Sequence, residues 1–303
     1  MAVIKVTNLT KDYGDRRGNF NVSFEVGRGE VFGFLGPNGA GKTTTIRHLL
    51  GFSKPDSGSC EILGLDCWKN PEKIQEKIGY VAGEINYPQN MTGWQFIKQI
   101  AAMRSVELKR AEELCDYFQL KPHAELKRMS KGMKQKIALV IAFMHKSEII
   151  ILDEPTSGLD PLMQTKFCDL LAREKANGKT ILMSSHMFEE VEKTCDRVVI
   201  IKNGEIIAEV SMKDLEHKKD KEYEIRFQTR EDAEKFSGLS YEFTEINLDK
   251  NRVKIVLHDD KINAFFAEIT NYGVEYMSEI KFTLEKYFMR FYKEDIENGK
   301  ATV

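Results

Sequence analysis

The stretch that decides the fold of this chain is Gly36-Pro37-Asn38-Gly39-Ala40-Gly41-Lys42-Thr43, which matches the pattern G-x-x-x-x-G-K-[ST] at every position. An apolar run of strand character, residues 30–35, precedes it, and a segment with helical spacing, residues 44–50, follows it. A strand, a glycine-rich loop and a helix in this order predict a phosphate-binding loop, because backbone N–H groups and the positive end of the helix face the same point.

This loop predicts two specific contacts with a nucleotide. We expect Lys42 to reach the β- and γ-phosphates and the Thr43 hydroxyl to bind Mg²⁺. The nucleotide-binding residues predicted from the loop are Gly36, Pro37, Asn38, Gly39, Ala40, Gly41, Lys42, Thr43 and Thr44.

A second stretch, residues 149–154 (Ile-Ile-Ile-Leu-Asp-Glu), has the pattern of a buried parallel strand that ends in two carboxylates. Ligands of open α/β sheets bind at the carboxyl ends of such strands. We therefore expect Asp153 to support the metal ion, through water, and Glu154 to act as general base on the attacking water. An adjacent acid pair also fits a surface turn or a helix cap, but the phosphate loop favours the catalytic interpretation.

Residues 1 to about 215 resemble the ATP-binding subunits of ABC transporters, because further motifs stand in the order of that family. Tyr13 lies where the family has an aromatic residue that stacks on adenine. Residues 129–133 (Met-Ser-Lys-Gly-Met) stand in the place of the family's signature, and residues 157–160 (Ser-Gly-Leu-Asp) in that of the D-loop. His186 matches the switch histidine. Together these motifs are highly specific, whereas each alone is weak.

The resemblance implies roles for these residues. His186 would orient or sense the γ-phosphate, with Lys42 and Glu154 as its catalytic partners. Ser130 and Gly132 would contact the γ-phosphate held by a second subunit, so that two chains enclose two ATP molecules, and Asp160 would belong to the same nucleotide site. From its position before a helical run, Ser130 also fits an ordinary helix cap.

The chain departs from the family at two motifs. The signature has Met129, Lys131 and Met133 where leucine, glycine and glutamine are usual. Gly83 stands where the glutamine of the Q-loop belongs. Glu84 next to it either replaces that glutamine or is a surface residue without a role.

Composition excludes several classes of protein. The 45 basic and 47 acidic residues give a net charge of −2, which argues against a nucleic-acid-binding protein. The five cysteines lack CxxC spacing and are expected to be reduced, mostly buried thiols. The longest strongly apolar run, residues 137–144, is far shorter than the roughly 20 residues that span a bilayer. With no signal peptide either, a membrane domain is expected on another polypeptide.

The predicted fold is an α/β P-loop NTPase of the ABC cassette type, with a mixed sheet, followed by a small α+β domain. The cassette covers residues 1–215 and has a helical subdomain at about 87–147. Within that subdomain, Trp94 and Phe96 either pack in the core or line a groove for a membrane partner.

The second predicted domain covers residues 216–303 and begins with a charged linker, residues 216–221. Strand patterns at 223–227 and 253–257 are followed by a helix from Ile262 that closes at Gly273 as its C′ residue. A final apolar stripe packs on the domain's own sheet or contacts a partner. Its members are Leu284, Tyr287, Phe288, Phe291 and Tyr292.

The resulting functional prediction is an ATPase that powers an ABC exporter, with ATP and Mg²⁺ as cofactors. It would dimerise with a second ATPase subunit and work with a transmembrane permease on a separate chain, at the cytoplasmic face of the membrane. The alternative is a soluble mechanochemical or regulatory ABC ATPase acting on ribosomes or DNA, although the chain has one cassette and no sustained heptads. A kinase would not explain the signature, and an inactive binding module would not explain intact Lys42, Asp153 and Glu154.

Overall fold

The computed structural model describes residues 2–216 and 220–289 of the chain. The chain divides into two compact units, Met1–Met212 and Lys213–Val303. The domain boundary expected from sequence, at residues 215–216, stays a prediction.

The first unit begins with three strands and contains both sheets of the cassette. Its strands are β1 (Ala2–Asp12), β2 (Gly18–Gly27), β3 (Val31–Leu35), β4 (Ser57–Ile62), β5 (Leu65–Asp66), β6 (Ile78–Val81), β7 (Ile149–Asp153), β8 (Thr180–Ser185), β9 (Arg197–Lys202) and β10 (Glu205–Ser211). Its helices are α1 (Lys42–Leu49), α2 (Pro71–Lys77), α3 (Gly93–Met103), α4 (Lys109–Tyr117), α5 (Lys131–Phe143), α6 (Pro161–Ala176) and α7 (Phe188–Thr194), and α8 (Met212–Glu216) lies at the division between the units.

The main sheet has six strands in the order β10-β9-β3-β8-β7-β6, and the second sheet has four in the order β2-β1-β4-β5. In the main sheet every pairing is parallel except that of the edge strand β10 with β9. This arrangement confirms the predicted mixed sheet. Asn203 and Gly204, with φ of 51° and 81°, form the turn of the predicted β9–β10 hairpin.

Burial explains why the central strands carry the chemistry at their ends. Every residue of β3, β7 and β8 is buried, so these strands have apolar side chains on both faces. Polar side chains appear where β7 and β8 end, at Asp153 and at Ser184 and Ser185. The three carboxyl ends lie side by side because β3 pairs with β8 and β8 pairs with β7.

The segment 87–147 is helical, as the sequence pattern predicts. Helix α3 begins with a capping box in which Thr92 Oγ1 accepts from Gln95 N at 3.2 Å, and Gln95 Oε1 accepts from Thr92 N at 2.8 Å. Trp94 and Phe96 are only half-buried. The Phe96 ring meets the Tyr87 ring edge to face at 5.4 Å, so Phe96 belongs to the margin of the helical packing.

The second unit is a ferredoxin-like α+β fold. Its elements are β11 (Asp220–Phe227), α9 (Arg230–Ser237), β12 (Glu242–Asn247), β13 (Arg252–His258), α10 (Ile262–Ile269) and β14 (Val274–Ile280). The antiparallel order β12-β13-β11-β14 and the βαββαβ succession are those of the split βαβ motif. A core around Phe227, Phe236 and Phe265 is formed by one face of the sheet and its two helices.

Two local predictions in this unit were wrong. Asp220 and Lys221, predicted as linker, already pair with β13 in strand β11. An ion pair of 3.0 Å between Lys221 Nζ and Asp259 compensates the lysine's charge there. Gly273 is not the C′ residue of α10, because the helix ends at Ile269 with Thr270 as its cap. Gly273 instead precedes β14, where its carbonyl accepts from Gln228 N at 2.7 Å.

The final apolar stripe is described only in part. Residues 284–289 are helical, and Leu284 and Phe288 are buried. Phe291 and Tyr292 lie outside the described residues.

Candidate functional site

The phosphate loop joins β3 to α1 and depends on its glycines for different reasons. Gly39 and Gly41 have φ of 80° and 107°, in the left-handed region that favours glycine. Gly36 has an ordinary φ, but a Cβ there would lie 2.4 Å from the carbonyl oxygen of Ile201. The loop therefore needs glycine for its backbone turn at two positions and for space at a third.

Lys42, the first residue of α1, lies over the loop with its side chain buried. Its ammonium group donates to the carbonyl oxygens of Gly36 at 2.6 Å and Pro37 at 3.1 Å. The same group lies 3.2 Å from Glu154 Oε1. The cation of the loop and the proposed base are therefore in direct contact.

Thr43 and Asp153 face each other at the end of β7. The Thr43 hydroxyl donates to Asp153 Oδ2 at 2.8 Å, and the Ser184 hydroxyl donates to Asp153 Oδ1 at 2.5 Å. A hydroxyl and a carboxylate are hard oxygen donors of the kind that Mg²⁺ prefers. No group of three histidine, cysteine, aspartate or glutamate side chains that could hold a metal occurs in residues 2–216 and 220–289. This pair fits Mg²⁺, which binds through one or two protein groups together with water and phosphate oxygens.

Glu154 has a strained backbone, with a φ of 49° that non-glycine residues rarely adopt. Its N–H donates to the carbonyl and the hydroxyl of Ser184, at 3.3 and 3.1 Å. Its Oε2 lies 2.6 Å from His186 Nδ1. The carboxylate is thus held between Lys42 and His186 and points into the cavity above the loop.

A cavity of about 560 Å³ collects most of the predicted site residues. It is lined by Asn38, Gly39, Ala40, Gly41, Lys42, Thr43, Thr44, Arg47, Tyr80, Ala82, Gly83, Glu84, Lys131, Asp153, Glu154, Ser157 and His186. The walls carry positive groups from the loop, α1 and α5 beside the carboxylates of β7, which suits a polyanion that binds with a metal ion.

Six predicted residues do not line this cavity. They are Tyr13, Gly36, Pro37, Ser130, Gly132 and Asp160. Tyr13 is 54% exposed. Ser130 and Asp160 each cap a helix, with their side-chain oxygens accepting from Met133 N at 3.3 Å and Met163 N at 3.0 Å. The signature serine and glycine therefore do not line the cavity of their own chain, although Lys131 between them does.

The structure adds two site residues that belong to no motif, Arg47 and Tyr80, and one signature residue without a predicted role, Lys131. All three line the cavity. Burial, and secondarily the charge of Asp153, raises the pKa of Tyr80 to about 12, so its hydroxyl keeps its proton. Arg47 lies one helical turn after Thr43, a spacing that could have identified it. Nothing in the sequence identifies Tyr80.

Asn19 is a further residue that the sequence analysis missed. It is fully buried, and its amide contacts the Thr45 hydroxyl. In the orientation that satisfies both ends of the amide, its nitrogen donates to the carbonyls of Gly18 at 3.0 Å and Gly41 at 3.1 Å. Asn19 thereby ties the β1–β2 hairpin, which carries Tyr13, to the phosphate loop.

Gly83 and Glu84 both lie at the cavity wall. A Cβ on Gly83 would be 3.1 Å from Asp153 Oδ2, closer than most side-chain contacts. Position 83 therefore has little room beside Asp153, whereas Glu84 is exposed at the rim. Its replacement of the Q-loop glutamine stays a prediction.

Two other expectations concern the whole chain. The five cysteines are free thiols, and four of them are buried, as predicted. In the described part of the chain, no helix combines the length and the apolar character needed to cross a membrane.

Comparison with known proteins agrees with this geometry. Residues 20–157 match the ABC transporter family model. The chain is 32% identical over 298 residues to the bacitracin transport ATP-binding protein BcrA of Bacillus licheniformis, which covers 95% of this chain and 96% of that protein. It is 38% identical over 221 residues to the linearmycin resistance ATP-binding protein LnrL of Bacillus subtilis, covering 70% of each.

A solved structure of an ATP-binding subunit of an ABC transporter is similar to this chain in fold. It has a TM-score of 0.64 and 31% sequence identity, and the match covers 70% of this chain and 91% of that one.

Proposed function

This chain belongs to the ABC transporter family, and from that premise we propose that it powers the export of an antibiotic. Its enzymatic activity is ATP hydrolysis, and its place is that of the ATP-binding subunit of the transporter. The direction and the class of cargo are proposed from the names of the two relatives, one in bacitracin transport and one in linearmycin resistance.

The observation that carries the proposal is the meeting of Lys42, Thr43, Asp153, Glu154 and His186 at one cavity. Hydrolysis of ATP needs a cradle for the phosphates, a base for the water and compensation of the developing charge. These five side chains supply all three functions, and each of them lies within 3.2 Å of at least one other.

We propose that a bound phosphate replaces Glu154 as the anionic partner of the Lys42 ammonium group. That group now contacts two loop carbonyls and Glu154, and phosphate oxygens offer it a stronger anionic partner. Glu154 is then free to accept a proton from the attacking water. Water adds to the γ-phosphorus, the bond to the β–γ bridging oxygen breaks, and ADP and inorganic phosphate leave.

His186 holds the carboxylate during this step. Its Nδ1 lies 2.6 Å from Glu154 Oε2, so an N–H at that position would orient the base. The strained backbone of Glu154 is consistent with a position that the surrounding contacts impose for function.

Thr43 and Asp153 are the proposed metal-binding residues, Asp153 through water. Mg²⁺ bound there would neutralise charge on the β- and γ-phosphate oxygens. Ser184 would keep Asp153 oriented for this contact, since its hydroxyl donates to the oxygen that Thr43 does not use.

The remaining predicted site residues require partners. Tyr13 is 54% exposed and has Lys11 Nζ over one face of its ring, 5.7 Å from the centroid, so it is proposed to stack on adenine with the other face. Ser130, Gly132 and Asp160 are proposed to complete the site of a second ATPase subunit, identical or not. Helix α5, with Ser130 as its cap, offers backbone N–H groups to an anion.

The proposed location is the cytoplasmic face of a membrane, beside a transmembrane permease on another chain. The alternative, a soluble ABC ATPase acting on ribosomes or DNA, has no supporting feature among the contacts of the site.

Affinity purification of the tagged full chain from detergent-solubilised membranes tests this proposal. Purification of wild type and Glu154→Gln with ATP and Mg²⁺ should recover a polytopic membrane protein in stoichiometric amount. Recovery from the soluble fraction alone, or with ribosomes or DNA, would contradict the transporter assignment and favour the alternative.

A further inference from the structure

A buried carboxyl group lies behind the loop that carries His186. Glu190, in the first half of α7, is 7% exposed, and its Oε2 accepts a hydrogen bond of 2.6 Å from the Ser185 hydroxyl. Ser185 is the last residue of β8, is fully buried, and directly precedes His186. None of the motifs that identify the nucleotide site includes Ser185 or Glu190.

Ser185 connects three parts of the site. Its hydroxyl, besides donating to Glu190, accepts from Met187 N at 2.9 Å. Its carbonyl accepts from Gly36 N, at the start of the phosphate loop, at 3.2 Å. The Ser185 hydroxyl therefore holds the backbone on both sides of His186, and the Ser185 carbonyl is hydrogen-bonded to the phosphate loop.

Glu190 is costly to keep in this position. Its Oε1 is buried and has no hydrogen-bond partner. Such an atom is unfavourable because it has lost its hydrogen bonds to water without gaining others. Burial raises the pKa of the Glu190 carboxyl, and the negative charge of Glu154 acts in the same direction, whereas the hydrogen bond from Ser185, the nearby Thr156 hydroxyl and His186 oppose them. What the Glu190 carboxyl provides in this position is an acceptor for the Ser185 hydroxyl.

We propose that Glu190 is a positioning residue for ATP hydrolysis, which aligns His186 with Glu154 by fixing the Ser185 hydroxyl. The inference rests on the proposed function of Glu154 and His186. Without the acceptor, Ser185 loses the bond that fixes its rotamer, and the turn 185–187 gains freedom. The contact of 2.6 Å between His186 and Glu154 would then be made less often, while Lys42 and the phosphate loop stay in place.

Three variants of the full chain test the proposal through steady-state ATP hydrolysis with Mg²⁺. Glu190→Ala should lower kcat roughly 10- to 100-fold, the scale of a small misplacement of a catalytic group, with KM for ATP changed less than about threefold. Glu190→Gln keeps an acceptor oxygen of the same reach and should recover most of kcat. Ser185→Ala should resemble Glu190→Ala.

The double variant separates a positioning role from general loss of stability. If Glu190 acts through Ser185, then Ser185→Ala combined with Glu190→Ala should lower kcat no further than either change alone. The matched control is Glu189→Ala on the same helix, whose side chain is 84% exposed and pairs only weakly, at 3.7 Å, with Lys193. Its kcat and KM should equal those of wild type.

Several results would overturn the inference. Unchanged kcat in Glu190→Ala, equal losses in the Gln and Ala variants, or additive losses in the double variant would each reject a role through Ser185. If the wild-type chain and Glu190→Ala hydrolyse ATP equally well, only this inference is rejected. A wild-type chain with no hydrolysis rejects the proposed function itself.

Discussion

The carboxylate of Glu154 is bound on both sides, by the ammonium group of Lys42 at 3.2 Å and by His186 at 2.6 Å. Its backbone is held in the left-handed region, at a cost of about 1 kcal/mol or more for a non-glycine residue. The amide of glutamine would fill the same space, but it cannot accept a proton from water at neutral pH. The residue's chemistry can therefore be removed with little change of shape.

We predict that Glu154→Gln lowers ATP turnover by at least about 10²-fold, the usual contribution of a general base, and leaves ATP bound in a stable dimer. Turnover is measured by phosphate release, and the dimer by size-exclusion chromatography with ATP. Glu148→Gln, a change at a half-exposed carboxylate just before the same strand, is the control and should behave as wild type. Near-normal hydrolysis by Glu154→Gln would remove Glu154 from the mechanism.

At the residue scale, sequence motifs identified the side chains that bind phosphate and metal and that activate water. Lys42, Thr43, Asp153 and Glu154 stand at fixed spacing because loop and strand end require it, and the cavity contains all four. Asn19 and Tyr80 could not be predicted in the same way. Their roles depend on which distant strand or loop they meet, and a buried amide or phenol has no fixed spacing from its partner.

At the scale of elements, the start of α5 packs tightly against the turn after β7. A Cβ on Gly132 would lie 2.5 Å from the carbonyl oxygen of Gly158. The contact is also tight in the other direction. A Cβ on Gly158 would lie 3.0 Å from the Lys131 side chain. The second glycine of the signature is therefore needed within one chain, besides any contact with a second subunit.

We predict that Gly132→Ala destabilises the chain by about 1–3 kcal/mol and lowers ATP turnover, because α5 must move away from the turn. Denaturant unfolding and phosphate release measure the two effects. Gly238→Ala is the control, since a Cβ there would lie 3.4 Å from the carbonyl oxygen of Lys235, an ordinary contact, and its φ is negative. Equal stability and turnover in the two variants would show that the helix start has room for a side chain.

The elements themselves were predicted best where local chemistry determines them. Asn203-Gly204 predicted the β9–β10 hairpin because a tight turn with two positive φ values needs those residues. The prediction that Gly273 is the C′ residue of α10 was wrong because a glycine after a helical pattern does not by itself determine where the helix ends. Helix α10 ends earlier, at Ile269, and space at position 273 is narrow, since a Cβ there would lie 3.1 Å from Asp232 Oδ2.

At the scale of the whole molecule, His145 links stability to pH. It is 7% exposed, and its Nε2 lies 3.1 Å from Arg104 Nη1. Burial, with the positive charges of Arg104 and Lys179, lowers the pKa of His145 to about 4 from its usual 6.5. The unfolded chain therefore binds a proton at this position between those pH values and the folded chain does not, so stability falls as pH falls through this range.

We predict that His145 alone removes up to about 3 kcal/mol of the free energy of unfolding between pH 7 and pH 4. His145→Gln keeps an acceptor for Arg104 but does not titrate, so its stability should depend less on pH in this range. Urea unfolding at several pH values measures the difference. His123→Gln, at an exposed histidine, is the control, and a wild-type slope in His145→Gln would contradict the pKa shift.

The topology of the second unit shows the limit of sequence reasoning at this scale. Alternating residues predicted strands β11 and β13 and an α+β class. The order β12-β13-β11-β14 depends on pairings between strands far apart in sequence, such as Ile225 with Val253 and with Met277. Local patterns do not encode such pairings, so the ferredoxin-like arrangement became visible only in the structure.

The end of β8 has a consequence for how the enzyme is assembled. Successive side chains of a strand point to opposite faces, and here Ser184 bonds to Asp153 while Ser185 bonds to Glu190. A slip of one residue against β7 would turn Ser184 away from Asp153 and Ser185 away from Glu190. Correct strand pairing and a competent site are thus one event during folding.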